Sequence, residues 1–370
     1  MIKGQQIKER DTIVRPTVNY RALPSLNCSM IKLFDSDPVK FYEQFKMGKK
    51  RKESKSTSTI IGDMVDFYLL DCRGNDEEFD SRFDEKFSLF EGTRGTGQVF
   101  TLADELFEIT QQYVNEDGEV TVSFDTRFTE AVNKVKAAGK YSGKTEDKIL
   151  EDFNKNGYDY FDCLIKNVGK IVVDVSLLDK SKKIAQLLLT DLFTEDVFQD
   201  NDDEEYFPKF PIEWIYEEGE KKTLCKSEID ILRINHTKKR IYLKDLKTTY
   251  DNEAFEYSYL KYRYDLQAAF YYLAIRHWAN EEGMTDYTIE PMEFIVGDTS
   301  ANNRRPVRYQ TSEKDLQASL NGYKLNNSTY KGVHQLMEEI GWAEETDNWN
   351  VSRNAFKNNG KLTLSLDYKL

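Results

Sequence analysis

Two aspartates and a lysine in neighbouring apolar segments have the types and spacing for metal-assisted chemistry. Asp230 belongs to the first segment, and Asp245 and Lys247 belong to the second. Two carboxylates that face each other repel unless a cation or a proton lies between them. Hard divalent cations such as Mg²⁺, with Mn²⁺ as a substitute, take oxygen ligands of this kind. An acid pair with an ammonium group beside it suits metal-assisted attack on a phosphodiester.

A β-hairpin is predicted to hold these three side chains together. Both segments are rich in apolar and β-branched residues, and a short polar loop separates them. A symmetric four-residue loop pairs Asn235 with Arg240, and the same register sets Asp230 directly opposite Asp245. Directly opposed residues of an antiparallel pair have Cβ atoms about 4.5–5.5 Å apart. Strand alternation then places Lys247 on the same face as Asp245.

Residues next to the hairpin strengthen this interpretation. Leu243 and Leu246 flank Asp245 and indicate a buried strand, where a carboxylate needs a partner. The predicted helix that follows carries Gln267 and Tyr271, which are four residues apart and therefore lie on one face.

An apolar helix predicted over residues 59–71 offers further carboxylates. Asp63, Asp66 and Asp71 lie among apolar neighbours there. A carboxylate inside such a helix is costly unless it meets a charge or a metal ion. This helix is therefore expected to contribute a ligand.

Three segments carry weaker signals. Ala138–Thr145 matches a phosphate-binding loop only loosely and follows a predicted amphipathic helix rather than a strand, so ATP binding is not predicted. Gly92–Gly97 is expected to be a flexible loop, with a DNA contact by Arg94 as the alternative. The basic run Lys46–Lys55 is expected to be a solvated loop, with a phosphate contact as its alternative.

The composition describes a strongly hydrated chain with no predicted membrane segment. Its 370 residues are 39% apolar and 32% charged. No run of about 18 apolar residues is present, and the N-terminus lacks the apolar core of a signal peptide, so a cytoplasmic location is expected by default. The net charge of −13 argues mildly against a protein that coats nucleic acid, because such proteins present basic patches.

Cysteines and histidines give no metal-binding pattern. The cysteines are scattered without a C-x-x-C pair and are expected to be reduced, buried thiols; they are Cys28, Cys72, Cys163 and Cys225. The histidines are expected to be ordinary surface or boundary residues; they are His236, His277 and His334.

The order of predicted elements indicates an α+β fold. Residues 1–24 are expected to be extended, and residues 25–370 are expected to form a single domain. Within that domain, residues 76–200 are predicted as a mostly helical insertion and residues 311–370 as a helical C-terminal extension. A helix, three antiparallel strands, a helix and another strand make the core.

The individual elements are predicted from periodicity and capping residues. Helices are predicted over 25–33, 38–45, 59–71, 101–114, 127–138, 145–155, 177–193 and 253–280. Strands are predicted over 210–216, 222–234, 240–246, 291–296 and 306–310. Ser176 is expected to cap the helix that follows it, and Trp342 and Trp349 are expected to be buried before an apolar, alternating tail.

Together these motifs resemble the RecB-type branch of the PD-(D/E)XK nuclease superfamily, and most closely the exonuclease VIII (RecE)-like group of phage recombination nucleases. That family places an aspartate on one strand and D-x-K on the next, which Asp230, Asp245 and Lys247 match here. Its Gln-x-x-x-Tyr motif on the following helix matches Gln267 and Tyr271. The resemblance covers roughly residues 25–75 and 175–345.

One motif departs from the family pattern. The family has Gly-x-x-x-His on an early helix, whereas this chain has Gly62-Asp-Met-Val-Asp66. A carboxylate is also a good ligand for a hard metal ion, so the resemblance implies Asp66 as a ligand, with Asp63 as the alternative.

The resemblance implies a restriction-endonuclease-like core and a complete metal site. Asp66, Asp230 and Asp245, with the backbone carbonyl of Leu246, would hold one or two Mg²⁺ ions. Lys247 would position the attacking water or stabilise the transition state. Two further residues would orient the strand or the lysine, namely Gln267 and Tyr271.

The activity implied is digestion of linear duplex DNA from 5′ to 3′, which leaves a single strand for a recombinase or annealing protein. Ring-shaped oligomers occur among the relatives. Two alternatives stay open: an endonuclease on the same core, and a catalytically silent module that binds DNA or a protein.

Overall fold

Seven strands in the described part of the chain form one mixed sheet. A computed structural model describes residues 12–14, 20, 23–49, 56–92, 97–300, 302, 304–326 and 328–362. The strands are β1 Thr12–Val14, β4 Glu205–Glu218, β5 Lys221–Asn235, β6 Arg240–Thr249, β7 Thr288–Ile289, β8 Glu293–Asp298 and β9 Val307–Gln310. Their order is β1-β4-β5-β6-β8-β9, and β7 also pairs with β6. The α+β class predicted from the sequence is confirmed.

The chain divides into two compact units by its internal contacts. One unit contains Met1–Arg51 and Asp191–Leu370, and the other contains Lys52–Thr190. The second unit overlaps the predicted helical insertion and also contains the predicted ligand helix. The single domain predicted over residues 25–370 stays a prediction.

The hairpin that carries the acidic residues forms as the sequence predicts. Strands β5 and β6 are antiparallel, and their register pairs Asn235 with Arg240 and Ile231 with Lys244. On its other side β6 is parallel to β8, from Lys244 to Thr249. Strand β6 is therefore paired with β5 up to Lys244 and with β8 from Lys244 onward, where its functional residues lie.

The first helices of the sheet-containing unit begin at capping residues. Helices α1 Cys28–Ser36 and α2 Pro38–Phe45 begin after Asn27 and Asp37, whose side chains accept hydrogen bonds from backbone N–H groups three residues on. The apolar face of α1, with Ile31 and Phe34 buried, joins the core of the sheet-containing unit.

The predicted helix over residues 253–280 is two helices. Helix α11 Phe255–Lys261 ends before Arg263, which has a left-handed backbone with φ of 50°, and helix α12 Tyr264–Glu281 follows. The guanidinium group of Arg263 stabilises this break because it donates to Asp265 at 3.0 Å and to the carbonyl of Lys331 at 2.6 Å, and it also bonds to Asp35. Distant residues, which local periodicity does not report, thus determine where the helix begins.

The unit of residues 52–190 is mostly helical, as predicted, but also contains a small parallel sheet. Its helices are α3 Thr57–Asp66, α4 Asp76–Lys86, α5 Gln98–Gln112, α6 Phe124–Ala137, α7 Glu146–Asn156, α8 Tyr158–Lys166 and α9 Val175–Thr190. A π-helical turn, Phe67–Asp71, continues α3. Strands β2 Phe87–Phe90 and β3 Ile171–Asp174 pair in parallel, which the sequence interpretation missed.

The predicted cap at Ser176 is wrong. Helix α9 already includes this residue, and the carboxylate of Asp174 accepts the backbone N–H of Leu177 at 2.8 Å. The carboxylate at the end of β3 therefore accepts a backbone N–H of the first helical turn, which the serine hydroxyl was expected to do.

The C-terminal region is less uniformly helical than predicted. Its elements are α13 Glu313–Asn321, β10 Tyr323–Leu325, β11 Ser328–Tyr330, α14 Val333–Thr346 and α15 Arg353–Lys357. Outside this region, the short helix α10 Glu195–Phe198 precedes β4. Trp349 is buried as predicted, stacked against Phe41 and Tyr42, whereas Trp342 is only half-buried. The predicted apolar tail lies beyond the described residues. Among the described helices, none has both the length and the apolar character that a membrane crossing requires.

Candidate active site

The two strands of the hairpin separate at the acidic residues. The backbone ladder ends at Ile231 and Lys244, one position before Asp230 and Asp245 would pair. In place of a ladder bond, the backbone N–H of Leu246 donates to Oδ2 of Asp230 at 2.9 Å. The side chain of Asp230 therefore replaces the backbone carbonyl that would accept this N–H in a continuous ladder, and this hydrogen bond holds it beside β6.

The carboxylate of Asp245 is the most enclosed group of the site, at 1% exposure. One of its oxygens contacts Nζ of Lys247, and the other accepts a hydrogen bond of 2.6 Å from Nε2 of Gln267. Gln267 lies in the first turns of α12, so the helix and the strand meet at this carboxylate. The structure thus brings together four of the residues that the sequence singled out.

Burial and mutual repulsion act on the acidic pair. Burial, and next the negative charge of Asp245, raise the pKa of Asp230 to about 6. Burial opposes the charged form of Lys247, but the carboxylates of Asp245 and Asp230 outweigh it and raise the pKa of this ammonium group. The two carboxylates repel each other at this centre, and a bound cation would relieve that repulsion.

The aromatic residue of the last predicted motif lies close to the acidic pair. Tyr271 is half-buried on α12, one turn after Gln267. Burial, and next the charges of Asp245 and Asp230, hold the pKa of the Tyr271 hydroxyl well above its usual value. This hydroxyl stays protonated at neutral pH and can therefore act as a hydrogen-bond donor.

The structure adds a lysine and a tyrosine that the sequence interpretation missed. Nζ of Lys32, on α1, lies 3.4 Å from Oε1 of Gln267, and it lies 4.9 Å from the ring centroid of Tyr264. Nζ of Lys247 lies 4.9 Å from the same ring. Burial, and also the charge of Lys247, lower the pKa of Lys32. The only local signal was a lysine placed four residues after Cys28 on the apolar face of a short helix.

The oxygen atoms around Lys247 suit a hard divalent cation. Asp230 and Asp245 supply carboxylates, and the backbone carbonyl of Leu246 lies 3.4 Å from Nζ of Lys247. Such a set leaves room in the coordination shell for water, which Mg²⁺ retains when proteins bind it. Among the described residues, no group of three or more His, Cys, Asp or Glu side chains is arranged around one point.

The predicted third ligand belongs to the other unit of the chain. Asp66 is half-buried at the end of α3, and Asp63 is half-buried one turn earlier. The assignment of either residue as a ligand stays a prediction.

The weaker sequence signals fall only partly on residues that the structure describes. In the basic run, Lys46 pairs with Glu344 and Lys49 pairs with Glu43, while residues 50–55 lie outside the described residues. Arg94 also lies outside them. The loop Ala138–Thr145 follows a helix, α6, rather than a strand.

One cysteine, Cys28, lies beside a residue of the site, and two histidines bond to tyrosine hydroxyls. All four cysteines are free thiols, and burial raises the pKa of Cys28, which lies one turn before Lys32 on α1. His334 bonds to the hydroxyl of Tyr216 at 2.7 Å, and His236 bonds to the hydroxyl of Tyr287 at 2.8 Å.

Comparison of the chain with models of known protein families gives no match, and comparison with curated proteins gives none either.

Proposed function

We propose that this protein is a metal-dependent deoxyribonuclease that hydrolyses phosphodiester bonds of linear duplex DNA. The observation that carries the proposal is the close grouping of Asp230, Asp245 and Lys247, in which the amide of Gln267 donates to the buried carboxylate of Asp245. The four groups come from two strands and a helix of the sheet-containing unit, which holds them together.

The repulsion between the carboxylates of Asp230 and Asp245 supports a cation as their partner. Mg²⁺, or Mn²⁺ in its place, would be held by Asp230, Asp245 and the carbonyl of Leu246. When bound, such a cation lowers the pKa of a coordinated water and neutralises charge on a phosphate. The raised pKa of Asp230 is consistent with this role, because a site built for a cation is strained without one.

The protein's own groups divide the remaining work. The Lys247 ammonium, held by Asp245, is placed to stabilise negative charge that develops on a phosphate oxygen. The amide of Gln267 fixes the orientation of Asp245, and Lys32 in turn fixes that amide by approaching its oxygen. Tyr271 can donate a hydrogen bond toward the acidic pair.

The PD-(D/E)XK core is part of the proposal. The strands β4, β5 and β6, helix α12 and strand β8 follow the order that the resemblance implies. The same resemblance also implies digestion from 5′ to 3′, a recombinase or annealing partner, and an oligomer. These implications are proposals as well, and they depend on the nuclease function tested below.

Degradation of linear duplex DNA with Mg²⁺, compared with the same reaction in EDTA, tests the proposal. Lys247→Met and Asp245→Asn should each lower the rate by about 10²–10³, the usual cost of losing one transition-state donor or ligand. Asp202→Asn is the matched control, because this residue is an exposed aspartate of the same unit. Full activity in both site variants would reject the site.

The same assay separates the exonuclease from its alternatives. A duplex labelled at its 5′ or 3′ end should lose the 5′ label first, and a closed circle should stay intact. Cleavage of the circle would favour an endonuclease. DNA binding without Mg²⁺-dependent cleavage would favour the silent module, and the effect of Asp66→Ala on Mg²⁺ affinity tests the predicted third ligand.

A further inference from the structure

Three tyrosines form a line of rings that leads from Lys247 to the surface. The ring of Tyr264, over which Lys247 lies, is 5.9 Å from the ring of Tyr262, measured between centroids. Nζ of Lys261 lies 5.2 Å from the ring of Tyr262 and 5.7 Å from the ring of Tyr257. We call Tyr257, Tyr262 and Tyr264 the tyrosine track.

The inner end of the tyrosine track is fixed and its outer end is exposed. Tyr264 is half-buried and stacks on the buried Phe255, with ring centroids 5.7 Å apart. Tyr262 is 50% exposed and Tyr257 is 71% exposed. Two large aromatic rings thus face water next to the candidate active site, where packing of the core does not require them.

Cations accompany the rings along the whole track. Lys32 and Lys247 lie over Tyr264, and Lys261 lies between Tyr262 and Tyr257. Lys261 and Tyr257 are four residues apart on α11 and therefore share a face, whereas the exposed Glu256 points to another side of that helix. The resulting surface offers aromatic rings and positive charge in alternation.

Alternating rings and cations match the chemistry of a single nucleic-acid strand. Unpaired bases stack on aromatic side chains without regard to sequence, and lysine ammonium groups bind the phosphates between the bases. In a duplex the base faces are covered by neighbouring bases, so paired nucleotides present only their phosphates and edges to such a surface.

We propose that the tyrosine track is a stacking surface for unpaired nucleotides of the DNA strand that occupies the candidate active site. This inference rests on the proposed nuclease function. It assigns to the protein a preference for DNA whose end is frayed or single-stranded, with the first bases on Tyr262 and Tyr257.

The test measures DNA binding separately from cleavage. The full-length Asp245→Asn protein, in EDTA, is titrated into a fluorescent oligothymidylate and into a blunt linear duplex without a loop, and anisotropy is recorded. The double variant Tyr257→Leu/Tyr262→Leu in this background should bind the oligothymidylate about tenfold more weakly or worse, because one base stack contributes about 1–3 kcal/mol. Its binding to the blunt duplex should change by less than about twofold.

Two controls connect the effect to stacking. Tyr257→Phe/Tyr262→Phe keeps the rings and should bind the oligothymidylate like the parent. Tyr158→Leu removes a tyrosine that is 48% exposed in the other unit and should also bind like the parent. Thermal unfolding of the double leucine variant should match that of the parent, since both rings lie at the surface.

The outcomes distinguish the two proposals. If wild-type protein cleaves duplex DNA with Mg²⁺ but the double leucine variant binds the oligothymidylate as tightly as the parent, the stacking role of the tyrosine track is refuted and the nuclease function stands. If the parent binds neither DNA and the wild type cleaves none, the track fails together with the nuclease function.

Discussion

Replacement of Asp230 by asparagine should stabilise the metal-free protein at neutral pH. The carboxylate ionises with a pKa of about 6 in the folded protein, against an ordinary value of 3.8. A difference of roughly 2 pKa units corresponds to about 3 kcal/mol. Asparagine removes the cost of burying this charge and its repulsion with Asp245, and it keeps an oxygen that can accept the N–H of Leu246.

The sign of the effect follows from proton linkage. Below about pH 4 the side chain is protonated in both the folded and unfolded states, so asparagine should give no gain. Between about pH 4 and pH 6 the folded state holds the proton more tightly, and wild-type stability falls as the pH rises. Above pH 6 the full difference should be present.

Urea denaturation in EDTA measures this prediction. Asp230→Asn should raise the free energy of unfolding at pH 7.5 by up to about 3 kcal/mol, and should leave it unchanged near pH 4. Asp202→Asn, at an exposed position, is the matched control. Saturating Mg²⁺ should reverse the order, because binding stabilises only the protein that retains the ligand. A metal-free variant no more stable than wild type at pH 7.5 would refute the reasoning.

Three further predictions concern the site and its supports. Arg263→Ala should lower the free energy of unfolding by about 3–5 kcal/mol, because it leaves the 1% exposed carboxylate of Asp265 without its cation. The control Arg240→Ala, which breaks an exposed ion pair, should lower it by about 1 kcal/mol or less. Equal losses in urea denaturation would contradict this. Mg²⁺ affinity by calorimetry should fall as the pH drops below the pKa of Asp230, about 6, and a flat profile from pH 5 to about 8 would argue against this ligand. Lys32→Gln should slow DNA cleavage about tenfold or more, and an unchanged rate would remove this lysine from the site.

The sequence predicts the hairpin well because its determinants are local. The loop length sets the register of Asn235 and Arg240, and the alternation of side chains follows from that register. These rules place Asp245 and Lys247 on one face and bring Asp230 close to them. They do not predict that the strands separate before the acidic pair, because a side-chain acceptor there replaces a backbone acceptor.

The features missed from the sequence depend on contacts between distant segments. The break before α12 needs Asp35 and the carbonyl of Lys331, which are far from Arg263 along the chain. Lys32 enters the site only because α1 packs near α12. Local periodicity predicts one continuous helix over residues 253–280, since nothing in that segment marks Arg263 as a residue with a left-handed backbone.

The path of the chain determines when this site can exist during synthesis. Lys32 and Gln267, which meet at the site, are separated by 235 positions. At a ribosomal rate of about 5–20 residues per second, the glutamine is made roughly 10–50 s after the lysine. Residues 52–190 form a contiguous unit and can fold within that interval, whereas the sheet-containing unit waits for its C-terminal helices. A nascent chain thus carries no assembled acidic centre until most of its length has been translated.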